Sequence, residues 1–322
     1  MLYYCPQAMK PIQVAVIGVG HLGSIHARIY SQLQSAQLVA VCDIAPDTAR
    51  LLAQQYNCKA VTDYHELLGH VEAVSVAVPT HDHATIAEDF LSHDTHVLVE
   101  KPITSTLNQA NRLLILSEKK KLVLQVGHVE RFNSALRQVE NQIKNPRFIE
   151  VHRLAPFQPR GTEVGVVLDL MIHDIDILLW LVKSPIRTIE AVGVKVLTPH
   201  EDIANARITF KNGAVANLTA SRISLEAMRK FRIFQAGMDG VRPAAYVSMD
   251  LLSQSVNIYQ HEGGRINHQA LEISKEEPLK AELSAFLESI HHKRQPPVTA
   301  REAREALAVA LQITRLVHRS HP

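Results

Sequence analysis

Three stretches of this sequence hold residue types at spacings that chemistry can use. The first is Gly18-Val19-Gly20-His21-Leu22-Gly23, which follows the apolar run Val14-Ala15-Val16-Ile17. At a strand-to-helix turn Gly18 permits the tight bend, Gly20 lets the backbone approach a pyrophosphate, and Gly23 lets helix and strand pack closely. The helix N-terminus then offers free N–H groups to an anion. Asp43 closes the next apolar run, twenty residues after Gly23, where a carboxylate accepts hydrogen bonds from a ribose hydroxyl pair. The pattern reads as dinucleotide binding. Its rivals are a purely structural glycine turn and a methyltransferase with similar glycines.

The second stretch is Glu100-Lys101-Pro102, at the end of another apolar run. In an open α/β sheet the ligand crevice lies beyond the carboxyl ends of the strands, so a lysine there faces the reacting end of a cofactor. A surface lysine at a loop start is the plainer reading of the triplet alone. The third stretch holds Asp169, His173 and Asp176, spaced i, i+4, i+7, which a helix stacks on one face. Leu168, Ile172, Ile175 and Leu179 form a neighbouring apolar stripe aimed at a core. Such a polar row is either a solvated face or the wall of a cleft. In a cleft, His173 suits a general base for a hydroxyl proton, with a carboxylate neighbour setting its tautomer.

A metal site is the competing use of these side chains. His81-Asp82-His83 and the His173/Asp176 pair carry ligand atoms, but no set shares a zinc-like spacing, so no metal is expected. Balance of charge excludes other classes. Thirty-four basic against 32 acidic residues give a net charge of +2, whereas a nucleic-acid binder shows a basic excess or stripe. The densest basic run, Lys119-Lys120-Lys121, falls at a predicted helix end, where cations suit the helix dipole. No stretch approaches the roughly 18 apolar residues a membrane helix needs, and the first residues lack a basic head before an apolar run, so no secretory signal is expected. The three cysteines, Cys5, Cys42 and Cys58, share no paired spacing. A cytoplasmic location is the expectation.

The elements that must position these residues follow from periodicity. Ile12–Ile17, Leu38–Cys42, Ala73–Val78, His96–Val99 and Leu122–Val126 are short apolar runs without alternation, as in parallel strands buried on both faces. Between them lie helix-like His21–Leu33, Asp47–Tyr56, Ala84–Ser92 and Leu107–Lys119. This is the grammar of a doubly wound α/β domain. After about residue 128 the order changes. A helix is expected over Arg131–Ile143, a strand at Phe148–Leu154, and a helix at Val167–Val182. Strands follow in a row at Ile189–Leu197, Ile203–Phe210, Ala214–Ser221, Phe231–Gln235, Tyr246–Asp250 and Val256–Tyr259, with a turn at Lys211-Asn212-Gly213. Helices Leu279–His291 and Arg301–His318 close the chain, and residues 1–8 read as a loose arm. The expected fold is α/β: a Rossmann domain over residues 1–127, then an α+β domain over 128–322 with a mainly antiparallel open sheet. The last helix, 301–318, is a candidate to pack back on the first domain.

The glycine fingerprint, Pro79 with His83 four residues on, Glu100-Lys101-Pro102, and Asp169 four residues before His173 together resemble the Gfo/Idh/MocA family of oxidoreductases, across essentially the whole chain. The resemblance implies NAD as cofactor, held by Gly18, Gly20, His21, Leu22, Gly23, Asp43, Pro79, Thr80, His83, Glu100 and Lys101. It implies Lys101 and His173 as the catalytic pair with Asp169 assisting, and either Lys101 or His173 as the principal base. It also implies a second domain that carries the substrate site and joins copies into a homodimer or homotetramer through its sheet.

Gly127–Asn133, His152–Phe157, Arg160-Gly161-Thr162 and Val167–Asp176 resemble the nucleotide-sugar branch of that family. The expectation is therefore NAD-dependent oxidation of a secondary hydroxyl, C3 of UDP-N-acetylglucosamine, toward a lipid A amino-sugar precursor. Alternatives are another sugar or polyol of the UDP-N-acetylglucosaminuronate or myo-inositol type, a reductase of a linear tetrapyrrole or a dihydrodiol dehydrogenase on this fold, and a non-catalytic NAD-binding regulator. The retained Lys101, Asp169 and His173 favour an enzyme. Arg131, Arg153 and Arg160, with Lys101, Asp169 and His173, are the expected substrate contacts, since guanidinium forks match a diphosphate. Surface ion pairs or subunit contacts are the other use of those arginines. Cys42-Asp43-Ile44-Ala45 places a carboxylate, and no cation, where a 2′-phosphate would sit, so NAD is expected over NADP.

Overall fold

A computed structural model of the protein describes residues 10–159, 162–237, 243–262 and 264–320. Contacts divide them into a first unit that runs to Gly127 and takes up Leu279–Arg304, and a second of His128–Pro278 continued from Glu305. The expected arm at residues 1–8 lies outside the described residues.

In the first unit, strands and helices alternate: β1 (Ile12–Ile17), α1 (His21–Gln32), β2 (Ala36–Cys42), α2 (Pro46–Tyr56), β3 (Lys59–Val61), β4 (Ala73–Val76), α3 (Thr80–Ser92), β5 (His96–Glu100), α4 (Leu107–Lys120) and β6 (Leu124–Gly127). The strands form a parallel sheet in the order β3-β2-β1-β4-β5-β6. Every residue of β4 and of β6 is buried, the outcome expected of apolar runs sandwiched between helix layers. Strand order reverses between β1 and β4, which opens a crevice beyond their carboxyl ends. Local signals fix the helix limits. Thr106 and Gln109 form a capping box at the start of α4. Lys119 and Lys120 lie in its last turn, where they complement the dipole.

The second unit begins with a 3₁₀ turn at Val129–Phe132, then α5 (Ser134–Val139) and β7 (Pro146–Leu154). A π-helical turn at Val167–Met171 leads directly into α6 (Ile172–Val182). Strands β8 (Ile186–Val194), β9 (Ile203–Phe210), β10 (Val215–Ser221), β11 (Met228–Gln235), β12 (Ala245–Asp250), β13 (Ser255–Glu262) and β14 (Arg265–Ala270) come next. Helices α7 (Pro278–His291) and α8 (Ala300–Ser320) close the chain. The sheet order is β14-β13-β12-β11-β7-β10-β9-β8, with β7 and β10 paired in parallel and the other neighbours antiparallel. Burial alternates along β9, as in a sheet with one face on a core. The β9–β10 turn uses Gly213 at φ +84°, and Ala214 N–H donates to the Asn212 side chain at 3.0 Å.

Four expectations are corrected. The helix expected over Arg131–Ile143 is interrupted, because the Asn133 side chain accepts the Ala135 N–H and starts a new, shorter helix. The helix expected from Val167 opens with a π turn. Strands β3 and β14 were not expected: β3 is only three residues long, and every residue of β14 is exposed, so neither displays an alternation. Lastly, α7 and the first residues of α8 return to the first unit, while α8 from Glu305 belongs to the second. Ala306, Val309, Ala310, Ile313 and Val317 join the second core, a helical stripe that commits that length of α8.

Candidate functional site

In the first unit the glycines of the β1–α1 turn have different physical reasons. Gly18 sits at φ +80°, and a Cβ there would lie 2.7 Å from the Ala77 carbonyl oxygen. A Cβ on Gly23 would lie 1.8 Å from the Gly18 oxygen, so helix and loop touch backbone to backbone. Around Gly20, its chain neighbours aside, no atom of the described residues lies within 4 Å of the position a Cβ would take. The protein itself requires the outer two, whereas the middle one keeps space clear beside exposed His21 and Leu22. No side chain caps the α1 N-terminus, which leaves its field directed at that space.

Asp43, half-buried at the end of β2, accepts the Val19 N–H on Oδ2 and the Ala45 N–H on Oδ1, each at 2.9 Å. It therefore fastens the glycine turn to the neighbouring strand end. After β4, Pro79 is exposed and Thr80 half-buried at the start of α3. The outer two glycines are fixed by packing, the space over Gly20 is open, and a carboxylate stands at the second strand end. These features fit a dinucleotide.

His83 does not face that crevice. It is buried, with Nδ1 2.9 Å from the Pro102 carbonyl and Nε2 2.9 Å from the Val78 carbonyl. Burial pushes the imidazole below its ordinary pKa, against the two carbonyls. The residue ties the loop after β4 to the loop after β5, and its expected role as a cofactor contact is corrected to that of a brace. Lys101, half-buried, follows β5, and the Lys101–Pro102 peptide is cis. Glu100 is buried behind it. Its Oε1 lies 3.3 Å from His26 Nε2, and its Oε2 accepts the Lys101 N–H at 3.2 Å. Burial alone raises a carboxyl pKa, but His26 and Lys101 beside Glu100 outweigh it and hold the group below the usual range. Sequence reasoning missed His26. The available signal was its place on the buried α1 stripe of Gly23, His26, Ala27 and Tyr30, where a polar residue needs a partner.

The second unit carries Asp169 on the π turn and His173 in the first turn of α6, both half-buried. The His128 ring meets His173 edge-on at 6.1 Å. A π turn is a recurrent feature of functional helices, and here it replaces the regular helical stagger assumed for these two residues. Asp176 departs from the expected row. It is buried, 3.5 Å from Arg131 Nε, and Arg131 lies over the Trp180 ring at 4.5 Å.

The expected arginine cluster is the main correction. Arg153 donates from Nε and Nη2 to Asp174 at 2.8–3.0 Å and from Nη1 to Glu130 at 2.9 Å. Arg229 reaches the same Glu130 oxygen at 3.0 Å. Burial works against the Arg153 charge, but Asp174 and Glu130 outweigh it and push the pKa up. Arg153 and Arg229 likewise hold Glu130 below its usual range despite burial, whereas burial leaves Asp174 above it. Arg153 is thus an interior ion-pair partner rather than a diphosphate fork, because its guanidinium edges already meet carboxylates, and Arg131 is buried between Asp176 and the Trp180 ring. Arg160 lies outside the described residues.

Comparison with known proteins finds relatives for both parts of the chain. Residues 12–128 match the oxidoreductase family with NAD-binding Rossmann fold, and residues 126–237 match the GFO/IDH/MocA C-terminal domain. The chain is 36% identical over 312 residues to the UDP-N-acetylglucosamine 3-dehydrogenase of Acidithiobacillus ferrooxidans, covering 95% of this chain and 97% of that protein. A solved structure of that enzyme superposes with a TM-score of 0.90 over 97% of this chain and 99% of its own. The myo-inositol 2-dehydrogenase of Thermotoga maritima is 26% identical over 323 residues, 92% of this chain and 93% of that one.

Proposed function

The chain is an NAD-binding oxidoreductase of the Gfo/Idh/MocA family, and from that premise we propose that it oxidises C3 of UDP-N-acetylglucosamine to the 3-keto sugar. The observation that carries the substrate is the 36% identity to the dehydrogenase of that sugar, in an alignment that spans 95% of this chain and so covers both units. NAD supplies the hydride acceptor. In this reading Lys101 polarises the reacting oxygen, His173 takes the hydroxyl proton, and Asp169, four residues upstream, assists His173. The C3 carbon loses its hydride and the oxygen its proton, which leaves a ketone suited to amination on the way to a lipid A amino sugar. Asp43 supports NAD over NADP, since its carboxylate stands beside Val19 and Ala45 at the second strand end.

With Arg131 and Arg153 committed inside the second unit, the nucleotide part of the proposal rests on the similarity and on Arg160. The outer face of the second sheet carries a row of stacked rings, Phe148, Phe234, Tyr246, Tyr259 and His268, with centroids 4.6–5.8 Å apart. A continuous half-exposed aromatic row supports association of copies through this face, which light scattering on the purified protein tests.

The deciding experiment follows absorbance of reduced nicotinamide while NAD and the protein meet UDP-N-acetylglucosamine, UDP-N-acetylglucosaminuronate, free N-acetylglucosamine and myo-inositol. Turnover of the first alone is the expected result. Equal activity on free N-acetylglucosamine, or activity confined to myo-inositol, overturns the proposal.

A further inference from the structure

Glu100 occupies an unusual position for a carboxylate. It is 7% exposed, and His26 beside it is fully buried. It projects over Gly127, its partner across the β5–β6 pair. A Cβ on Gly127 would lie 2.7 Å from the carboxylate carbon and both oxygens. Three elements therefore converge on one carboxylate: α1 through His26, β6 through the missing side chain of Gly127, and the end of β5 through the Lys101 N–H. The charged and titratable groups acting on it are His26 and Lys101. Tyr30 on α1 and His83 on α3 feel its charge, and Glu282 on α7 acts on the same Tyr30.

A buried carboxylate is costly unless it is paired and hydrogen-bonded. Its two oxygens here point to different jobs, one toward the imidazole and one toward the lysine's own backbone. Among the described residues the polar contact of the His26 ring is the 3.3 Å approach of Nε2 to Glu100 Oε1, an ion-pair distance without regular hydrogen-bond geometry.

We propose that the His26–Glu100 pair, seated over Gly127, is the positioning device for Lys101: it fixes the lysine backbone at the end of β5 and keeps a negative charge behind the ammonium group. This rests on the reading of Lys101 as a catalytic group and adds the two residues that act through it. Neither touches substrate in this scheme. A displacement of about 1 Å at such a residue is worth up to roughly 100-fold in turnover, so the device matters without contacting the reaction.

The test is a mutant cycle on the full-length protein. His26→Leu, Glu100→Gln and Gly127→Ala should each lower kcat roughly 10- to 100-fold while the dissociation constant for NADH, read by fluorescence, stays within about threefold. His26→Gln, whose amide still donates to the carboxylate, should recover part of the loss. In a Lys101→Ala background the same changes should add less than about twofold, because residues acting through one group are not additive.

Losses that multiply fully in that background, or unchanged kcat in Glu100→Gln, overturn the proposal. So does parallel loss of NADH binding, which marks a general collapse of the loop. A crystal structure of His26→Leu decides the matter without any activity. The Lys101 backbone should leave the Glu100 carboxylate, and an unmoved lysine overturns the positioning role. If no sugar is turned over by the unmodified protein, the substrate assignment fails while this structural arm still stands.

Discussion

The two units treat buried charge in opposite ways. The first keeps Glu100 and Asp43 facing backbone N–H groups of the loops around its crevice, so the charges organise the loops at the carboxyl ends of its strands. The second turns Arg153 on Asp174 and Glu130, and Arg131 on Asp176, so those charges hold α6 in place and are spent. Residue type is the same currency in both, but direction decides the use. A guanidinium whose N–H groups already meet carboxylates has nothing left for a phosphate.

Breaking the second network should give the largest effect. Arg153→Ala leaves buried Asp174 without its arginine and Glu130 with Arg229 alone, and removal of one member of a buried pair typically costs about 3–5 kcal/mol. Denaturant unfolding should show that loss, with KM for the sugar nearly unchanged in whatever folded protein remains. A large rise in KM at unchanged stability restores the substrate role and collapses the contrast between the units.

The next effect is on chemistry. Lys101→Ala and His173→Ala should each cut turnover by about 100-fold or more, since positioned acid–base groups contribute roughly 10²–10⁴-fold. Calorimetric titration should still show NAD binding in both. Near-normal turnover of His173→Ala assigns the base to Lys101, and so moves the proton chemistry into the first unit.

Acid sharpens the comparison at a carboxylate that is neither ligand-facing nor paired with an arginine. Asp202 is fully buried and accepts backbone N–H groups from Val196, Leu197 and Thr198 and the Thr198 hydroxyl. Burial opposes its charge, but these donors outweigh it and pull the pKa down to about 2. A depressed folded pKa stabilises above the unfolded value, near 4, and that contribution disappears as pH falls toward 2. The amount is on the order of 2 kcal/mol. Urea unfolding of Asp202→Asn against the parent should show a gap at pH 6 that closes by pH 2. A gap independent of pH contradicts the charged reading.

The smallest expected effect concerns cofactor choice. Asp43→Ser removes the charge that opposes a 2′-phosphate and should narrow the preference for NAD over NADP by about tenfold. Comparable kcat/KM for the two cofactors in the parent protein removes the argument altogether.

Much of the first unit was legible along the chain. Its strands other than short β3 are largely buried, so apolar runs and glycine punctuation mark them within a residue or two, and the glycine turn and Asp43 follow from local backbone geometry alone. The second unit was legible in its order of elements and in the helix bearing Asp169 and His173. Its edge strand β14 and the π turn were not, because an exposed edge and a local change of helical pitch leave no period in the sequence. Two of the three arginines expected at the nucleotide were misread for a related reason. Arg131 and Arg153 flank the right segments, and nothing local records that Asp176, Asp174 and Glu130 face them across the fold. Sequence by itself determined which residues can carry charge and where the chain must turn, since those depend on side-chain type and on neighbours a few residues away. Only tertiary structure decided which charges remain available, because the partners that neutralise or seat them are tens of residues distant: His26 for Glu100, Asp174 for Arg153, and a missing Cβ at Gly127.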